Sequence, residues 1–212
     1  MAKGKVTVLL VDDHAIVRAG FRLLLASEAM IDVIAEAERG EAACQLYLEK
    51  QPDVVVLDLS MPGIGGLETI RRLCNRDNNA KILVFSVHDE MVYAHRAMAA
   101  GAKGYVTKSA APDILAPAIQ KIAEGGIYIE HDLLGAAQTP TQPGEYRAII
   151  DMLTPREFDV FLLLAKGLTV HKVADELCLG YKTVANYGTQ IKSKLNVSTV
   201  AELAHIAMIL DL

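Results

Sequence analysis

The sequence predicts an α/β fold, a doubly wound parallel sheet of five strands, followed by a smaller all-α domain. Three observations carry this expectation. Short runs rich in Val, Ile and Leu alternate with helical periodicity through the first 125 residues, as parallel strands joined by crossover helices require. Polar residues interrupt the pattern where four of the five runs stop. Beyond residue 150 there is no strand signal, and four helical segments follow one another.

The strands are expected at 6–11, 33–37, 54–57, 82–85 and 104–106. Several are unbroken apolar runs, the pattern of strands covered on both faces. Helices are expected near 15–28, 40–50, 66–75, 90–100 and 112–124, the last stopped by Gly125 and Gly126. A short apolar stretch and then a Gln- and Thr-rich segment with Pro140 and Pro143 read as a linker. The expected organisation is therefore a first domain over 1–126, a linker over 127–150 and a second domain over 151–212. In the second domain, Thr154 is placed to cap a helix that has Pro155 in its first position and runs to 166. Further helices are expected at 169–177, 182–195 and 198–210. The turn of about three to four residues between the second and third makes a helix-turn-helix.

Composition narrows the function. Of 212 residues, 52% are hydrophobic and 22% charged, which excludes a disordered or low-complexity polymer. No apolar run approaches the roughly 18 residues of a membrane span, and no signal peptide is expected. Cys44, Cys74 and Cys178 are an odd set without CxxC spacing, which argues against a disulfide framework or a zinc site and fits a reducing cytoplasm. The net charge of −5 excludes nucleic-acid binding by bulk electropositivity. A local exception exists: between 166 and 195, Lys166, Lys172, Lys182, Lys192 and Lys194 face only Asp175 and Glu176.

The residues at the strand ends carry chemistry. Asp12 and Asp13 end the first strand, Asp58 the third and Ser86 the fourth, and Lys108 lies just past the fifth. In an open doubly wound sheet the carboxyl ends of the strands border the ligand crevice. Carboxylates about 4 Å apart repel by roughly 4 kcal/mol per pair at an effective dielectric near 20. A positive partner is required, and Mg²⁺ suits one or two carboxylates completed by water and phosphate. Asp58, central and alone at its strand end, is the natural acceptor of a phosphoryl group. Lys108 would neutralise one phosphoryl oxygen, and the Ser86 hydroxyl could donate to another. His14 reads as a solvent-facing residue, His88 as one without a special role, and Cys44 and Cys74 as packing residues.

At this point the blocks VLLVDDH, VVVLDLSMPGIGGLE, ILVFSVHDE and GAKGYVTK resemble, in order and spacing, the response-regulator receiver domain. LTPREFDVFLLLAKGLT followed by KTVANYGTQIKSKLNV resembles the LuxR-type helix-turn-helix of the NarL/FixJ subfamily. The resemblance covers nearly the whole chain. It implies a flavodoxin-like sheet of order 2-1-3-4-5 and a four-helix second domain. It makes Asp58 the phosphoacceptor, Asp13 a direct Mg²⁺ ligand, Asp12 a ligand mostly through water, and Ser60 the donor of a backbone carbonyl to the metal. It makes Lys108 the phosphoryl-holding lysine, Ser86 the switch hydroxyl and Tyr105 the switch aromatic. The implied partners are a sensor histidine kinase and promoter DNA, with a homodimer formed on phosphorylation and no membrane. Loss of its own phosphoryl group is the only turnover expected, so the chain is not read as an enzyme.

In the second domain Val184, Ile191 and Leu195 form one buried stripe, which turns Lys182, Asn186 and Thr189 outward. By resemblance, Ala185, Asn186 and Thr189 read base edges, while Lys182, Tyr187, Lys192 and Lys194 meet phosphates. Thr183 belongs to the same face. There are departures from the family pattern: Ser109 follows Lys108 where many receivers have Pro, Gly180 takes the usual Ser N-cap, Gly188 interrupts the helix, and Ala185 and Thr189 replace frequent lysines. Two rivals remain open on the residues. One is a phosphorylation-controlled protein-interaction module, and the other is an Mg²⁺-dependent phosphohydrolase, which lacks a phosphate-binding Gly-rich loop.

Overall fold

A computed structural model describes residues 4–88, 91–109, 111–130, 145–210 and 212. The chain divides into two compact units, Met1–Ala137 and Gln138–Leu212.

The first unit is built on β1 (Val6–Val11), β2 (Ile31–Ala37), β3 (Val54–Leu57), β4 (Ile82–Ser86), β5 (Gly104–Thr107) and β6 (Tyr128–Ile129). Between them run α1 (Ala15–Ala26), α2 (Gly40–Lys50), α3 (Gly66–Arg76), α4 (Met91–Ala99) and α5 (Ala111–Ala123). The sheet order is β2-β1-β3-β4-β5-β6, with every neighbouring pair parallel. All four residues of β3 are fully buried, which explains its unbroken apolar run. On one face of the sheet, Val8, Leu10, Val54, Val56, Leu83, Phe85 and Val106 pack against Leu115, Ile119 and Ile122 of α5. Burying each such side chain stabilises the fold by roughly 1.5–3 kcal/mol.

The expected five strands are present, and β6 adds a sixth. It pairs through Gly104–Tyr128 and Tyr105–Ile129 on the outer edge of β5. Gly104 is what admits it: a Cβ there would lie 2.5 Å from the Tyr128 carbonyl oxygen. Two residues are too short to show a period-2 pattern, so this strand was absent from the sequence reading. No described peptide bond is cis, so Ser109 follows Lys108 through a trans bond.

The second unit holds α6 (Glu145–Asp151), α7 (Pro155–Ala165), α8 (Val170–Glu176), α9 (Tyr181–Leu195) and α10 (Val200–Ile209). Thr154 and Glu157 close a capping box at the start of α7, and Thr199 and Glu202 close another at α10. Phe158, Phe161, Val173, Val184, Ile191, Leu195, Leu203 and Ile206 form the core. The turn between α8 and α9 passes through Cys178 in the left-handed region, at φ 50°. β6 and all of α6 but Asp151 fall within the span expected as a linker, of which 131–144 lies outside the described residues. Among the described residues no helix is long and apolar enough to cross a membrane.

Candidate functional site

The strand order reverses between β1 and β3, and the polar strand-end residues gather there. Asp12 and Asp58 are each 2% exposed. The Lys108 ammonium lies 2.6 Å from both Asp12 Oδ2 and Asp58 Oδ2. Ligand atoms of Asp12, Asp13, His14 and Asp58 all fall within 4.8 Å of one another. The second oxygens are held too: the His14 N–H donates to Asp12 Oδ1 at 2.8 Å, and the Ser60 N–H to Asp58 Oδ1 at 3.2 Å.

Three carboxylates face one ammonium, so negative charge is in excess. Burial raises the Asp58 carboxyl above the ordinary aspartate value; Lys108 opposes that rise and Asp12 adds to it. For Lys108 burial works toward a lower value, but Asp58 and Asp12 together outweigh it and the ammonium is held above its ordinary value. Asp13 Oδ1 is buried and receives no hydrogen bond. His14 Nδ1 stands 2.9 Å from it, an ion-pair contact only when that exposed ring is protonated. The carboxylate oxygens of Asp12, Asp13 and Asp58, one of them buried and without a hydrogen bond, with surplus negative charge, fit a hard divalent cation.

Ser86, fully buried, ends β4 one residue beyond the level of Asp58, since Leu57 pairs with Val84. Its hydroxyl accepts the His88 N–H at 3.4 Å. Tyr105 is also fully buried and its hydroxyl donates to the His88 carbonyl at 2.8 Å. The His88 ring stacks on Tyr93 with centroids 3.9 Å apart, and its Nε2 lies 2.8 Å from Ser60 Oγ. His88 was set aside in the sequence, yet it joins the loops after β3 and β4. The signal was its offset: His88 follows Ser86 by two residues, as Ser60 follows Asp58.

On α9 of the second unit, Val184, Ile191 and Leu195 are buried and Lys182, Thr183, Asn186 and Thr189 are exposed. Ala185, Tyr187 and Lys192 are half-buried, and the Thr189 hydroxyl donates to the Ala185 carbonyl at 3.0 Å. Gly188 is buried on α9; a Cβ there would meet Leu164 Cδ1 at 3.4 Å, an ordinary contact distance, so packing on α7 does not require the glycine. Lys194, expected to meet phosphate, is half-exposed, and in the free chain its ammonium lies 2.6 Å from Glu157 Oε1 and 2.8 Å from Oε2. The pair satisfies a carboxylate that α7 buries at its own N-terminus. Tyr181, half exposed at the start of α9, stacks on His171 of α8 with centroids 4.4 Å apart; neither was singled out in the sequence.

Residues 8–120 match the model of the response regulator receiver domain, and 151–207 that of the luxR family of bacterial regulatory proteins. The transcriptional activator protein ExaE of Pseudomonas putida is 42% identical over 205 residues, covering 95% of this chain and 95% of that protein. The response regulator UvrY of Escherichia coli (strain K12) is 38% identical over 204 residues, covering 96% of this chain and 94% of that protein. A structure of two RcsB dimers bound to two parallel DNAs shares the fold, with a TM-score of 0.60 and 24% identity over 97% of this chain and 99% of that chain.

Proposed function

The chain belongs to the response regulators that join a receiver domain to a LuxR-type helix-turn-helix, and from that premise we propose that Asp58 accepts a phosphoryl group from a sensor histidine kinase and thereby promotes dimerisation and binding to promoter DNA. The observation that carries the first half is the Lys108 ammonium bridging Asp58 and Asp12 beside the unbonded Asp13 oxygen. Asp58 attacks the phosphorus of a phosphohistidine; an O–P bond forms, the N–P bond breaks, and the imidazole leaves. The carboxylates of Asp12, Asp13 and Asp58 with the Ser60 carbonyl would hold Mg²⁺, which neutralises charge on the entering group. Lys108 exchanges its contact with Asp58 for a phosphoryl oxygen, retaining a carboxylate partner in Asp12. The Ser86 hydroxyl turns to another phosphoryl oxygen. Because His88 is bonded to both Ser86 and Tyr105, that turn is felt by Tyr105.

In the second unit, Lys182, Thr183, Tyr187 and Lys192 approach phosphates while Ala185, Asn186 and Thr189 face base edges, with Asn186 suited to pair with adenine. Lys194 is left out because Glu157 holds it. We read the chain as a regulator of the cytoplasm whose only turnover is loss of its own phosphoryl group. The withdrawal of Lys194 favours one competing reading, a second unit that docks on protein instead of DNA. Binding to random duplex DNA across a salt series separates the two. With Lys182 and Lys192 of both copies on phosphate, log affinity falls against log salt with a slope of about −3 to −4. A flat slope contradicts the DNA reading, and equal affinity with and without phosphorylation removes the coupling to Asp58.

A further inference from the structure

Among the described residues, Glu130 is a buried carboxylate of the first unit that the mechanism above does not use; its residue is 8% exposed. It follows β6 directly. Its N–H donates to the Tyr105 carbonyl at 3.1 Å, continuing the ladder between β5 and β6. The next donor on β5 is the Thr107 N–H, and at that point the ladder stops. The Glu130 side chain takes over, with Oε2 accepting the Thr107 N–H at 2.7 Å. A bond from a backbone amide to a carboxylate is stronger than one to a carbonyl. Thr107 is the residue before Lys108. On the other side of the turn, the Lys108 N–H is held by the Ser86 carbonyl at 2.7 Å, and the Thr107 and Ser109 hydroxyls lie 2.9 Å apart. The backbone that carries the Lys108 ammonium is thus fixed from β4 through Ser86 and from β6 through Glu130.

We propose that Glu130 is a positioning residue for phosphoryl transfer, acting through Thr107 to hold Lys108 over Asp58. The inference rests on the reading of Asp58 as phosphoacceptor. It also gives the short sixth strand a purpose: the chain that leaves the sheet is bonded to the loop whose lysine meets the phosphoryl group.

The test is the rate at which the full chain is phosphorylated by a small phosphodonor with Mg²⁺. Misplacing a reacting group by a fraction of an ångström to about 1 Å slows a reaction by roughly 10- to 100-fold, and E130A is expected in that range. E130Q, whose amide oxygen accepts the same N–H, restores most of the rate. In a K108A background E130A causes no further loss, because the lysine through which it acts is gone. Wild-type rates in E130A, or an equal fold-loss in both backgrounds, overturn the inference. Should E130A be too unstable to assay, amide exchange at Thr107 in the wild type carries the test. Strong protection of that amide, as the bond to Glu130 requires, supports the proposal, and exchange as fast as that of an unbonded amide overturns it. A wild type that takes up no phosphoryl group overturns the Asp58 reading instead, so the two failures are distinguishable.

Discussion

The two units each contain a lysine drawn to 2.6 Å from a buried carboxylate, and the pairs do different things. Lys194 meets Glu157, a single acid whose remaining capacity is taken by Thr154, so charge and hydrogen bonds both close within the pair. Lys108 meets Asp58 inside a group of three carboxylates, and negative charge is left over. A short contact therefore does not mark a reactive site. The imbalance of charge around it does, because a balanced pair has no use for an added cation or phosphoryl group.

The largest expected effect is at the unbalanced pair. Lys108→Ala removes the cation from buried carboxylates and is expected to slow phosphorylation by about 100-fold or more. It should also destabilise the first unit by about 3–5 kcal/mol, measured by urea unfolding. A loss of rate without loss of stability would show that the carboxylates do not depend on Lys108 in the resting state. Lys194→Ala should cost about 1 kcal/mol, since half of that lysine is already in water.

On DNA the order reverses. Lys182→Ala should reduce the salt slope by about 1 for each copy on the duplex, while Lys194→Ala leaves the slope as it is. Equal effects of the two would place Lys194 on phosphate and break the comparison. Smaller still is the response to acid. Burial alone would raise the Glu157 carboxyl, but Lys194 and Thr154 outweigh it and hold the group below its ordinary value near 4.5. The stability it contributes is present above that ordinary value and is lost as pH falls through the lower folded value. Urea midpoints between pH 6 and pH 3 should therefore fall more for the wild type than for Glu157→Gln. At the turn before α9, Cys178→Gly should gain up to about 1 kcal/mol by relieving a left-handed backbone, seen as a higher melting temperature.

The balance between the pairs was only half visible in the sequence. Asp12, Asp13, Asp58 and Lys108 were legible because each stands at or just past the end of an apolar run, and the sheet then brings strand ends together. Thr154 and Glu157 were legible as a cap because that bond is local. The pairing of Lys194 with Glu157 was not legible because the two lie 37 residues apart, across helices whose packing no local pattern encodes. The roles of His88 and Glu130 come from bonds between loops and between strands. Neither residue type nor spacing announces those, and β6 is too short to show alternation.

The central claim is that Asp58 alone carries the phosphoryl group. Intact-mass analysis after incubation with Mg²⁺ and a small phosphodonor tests it most directly, with Asp58→Ala and a chelator-treated sample alongside. The account predicts one added phosphoryl group on the wild type and none on either control. An unmodified wild type, or a modified Asp58→Ala chain, would contradict it.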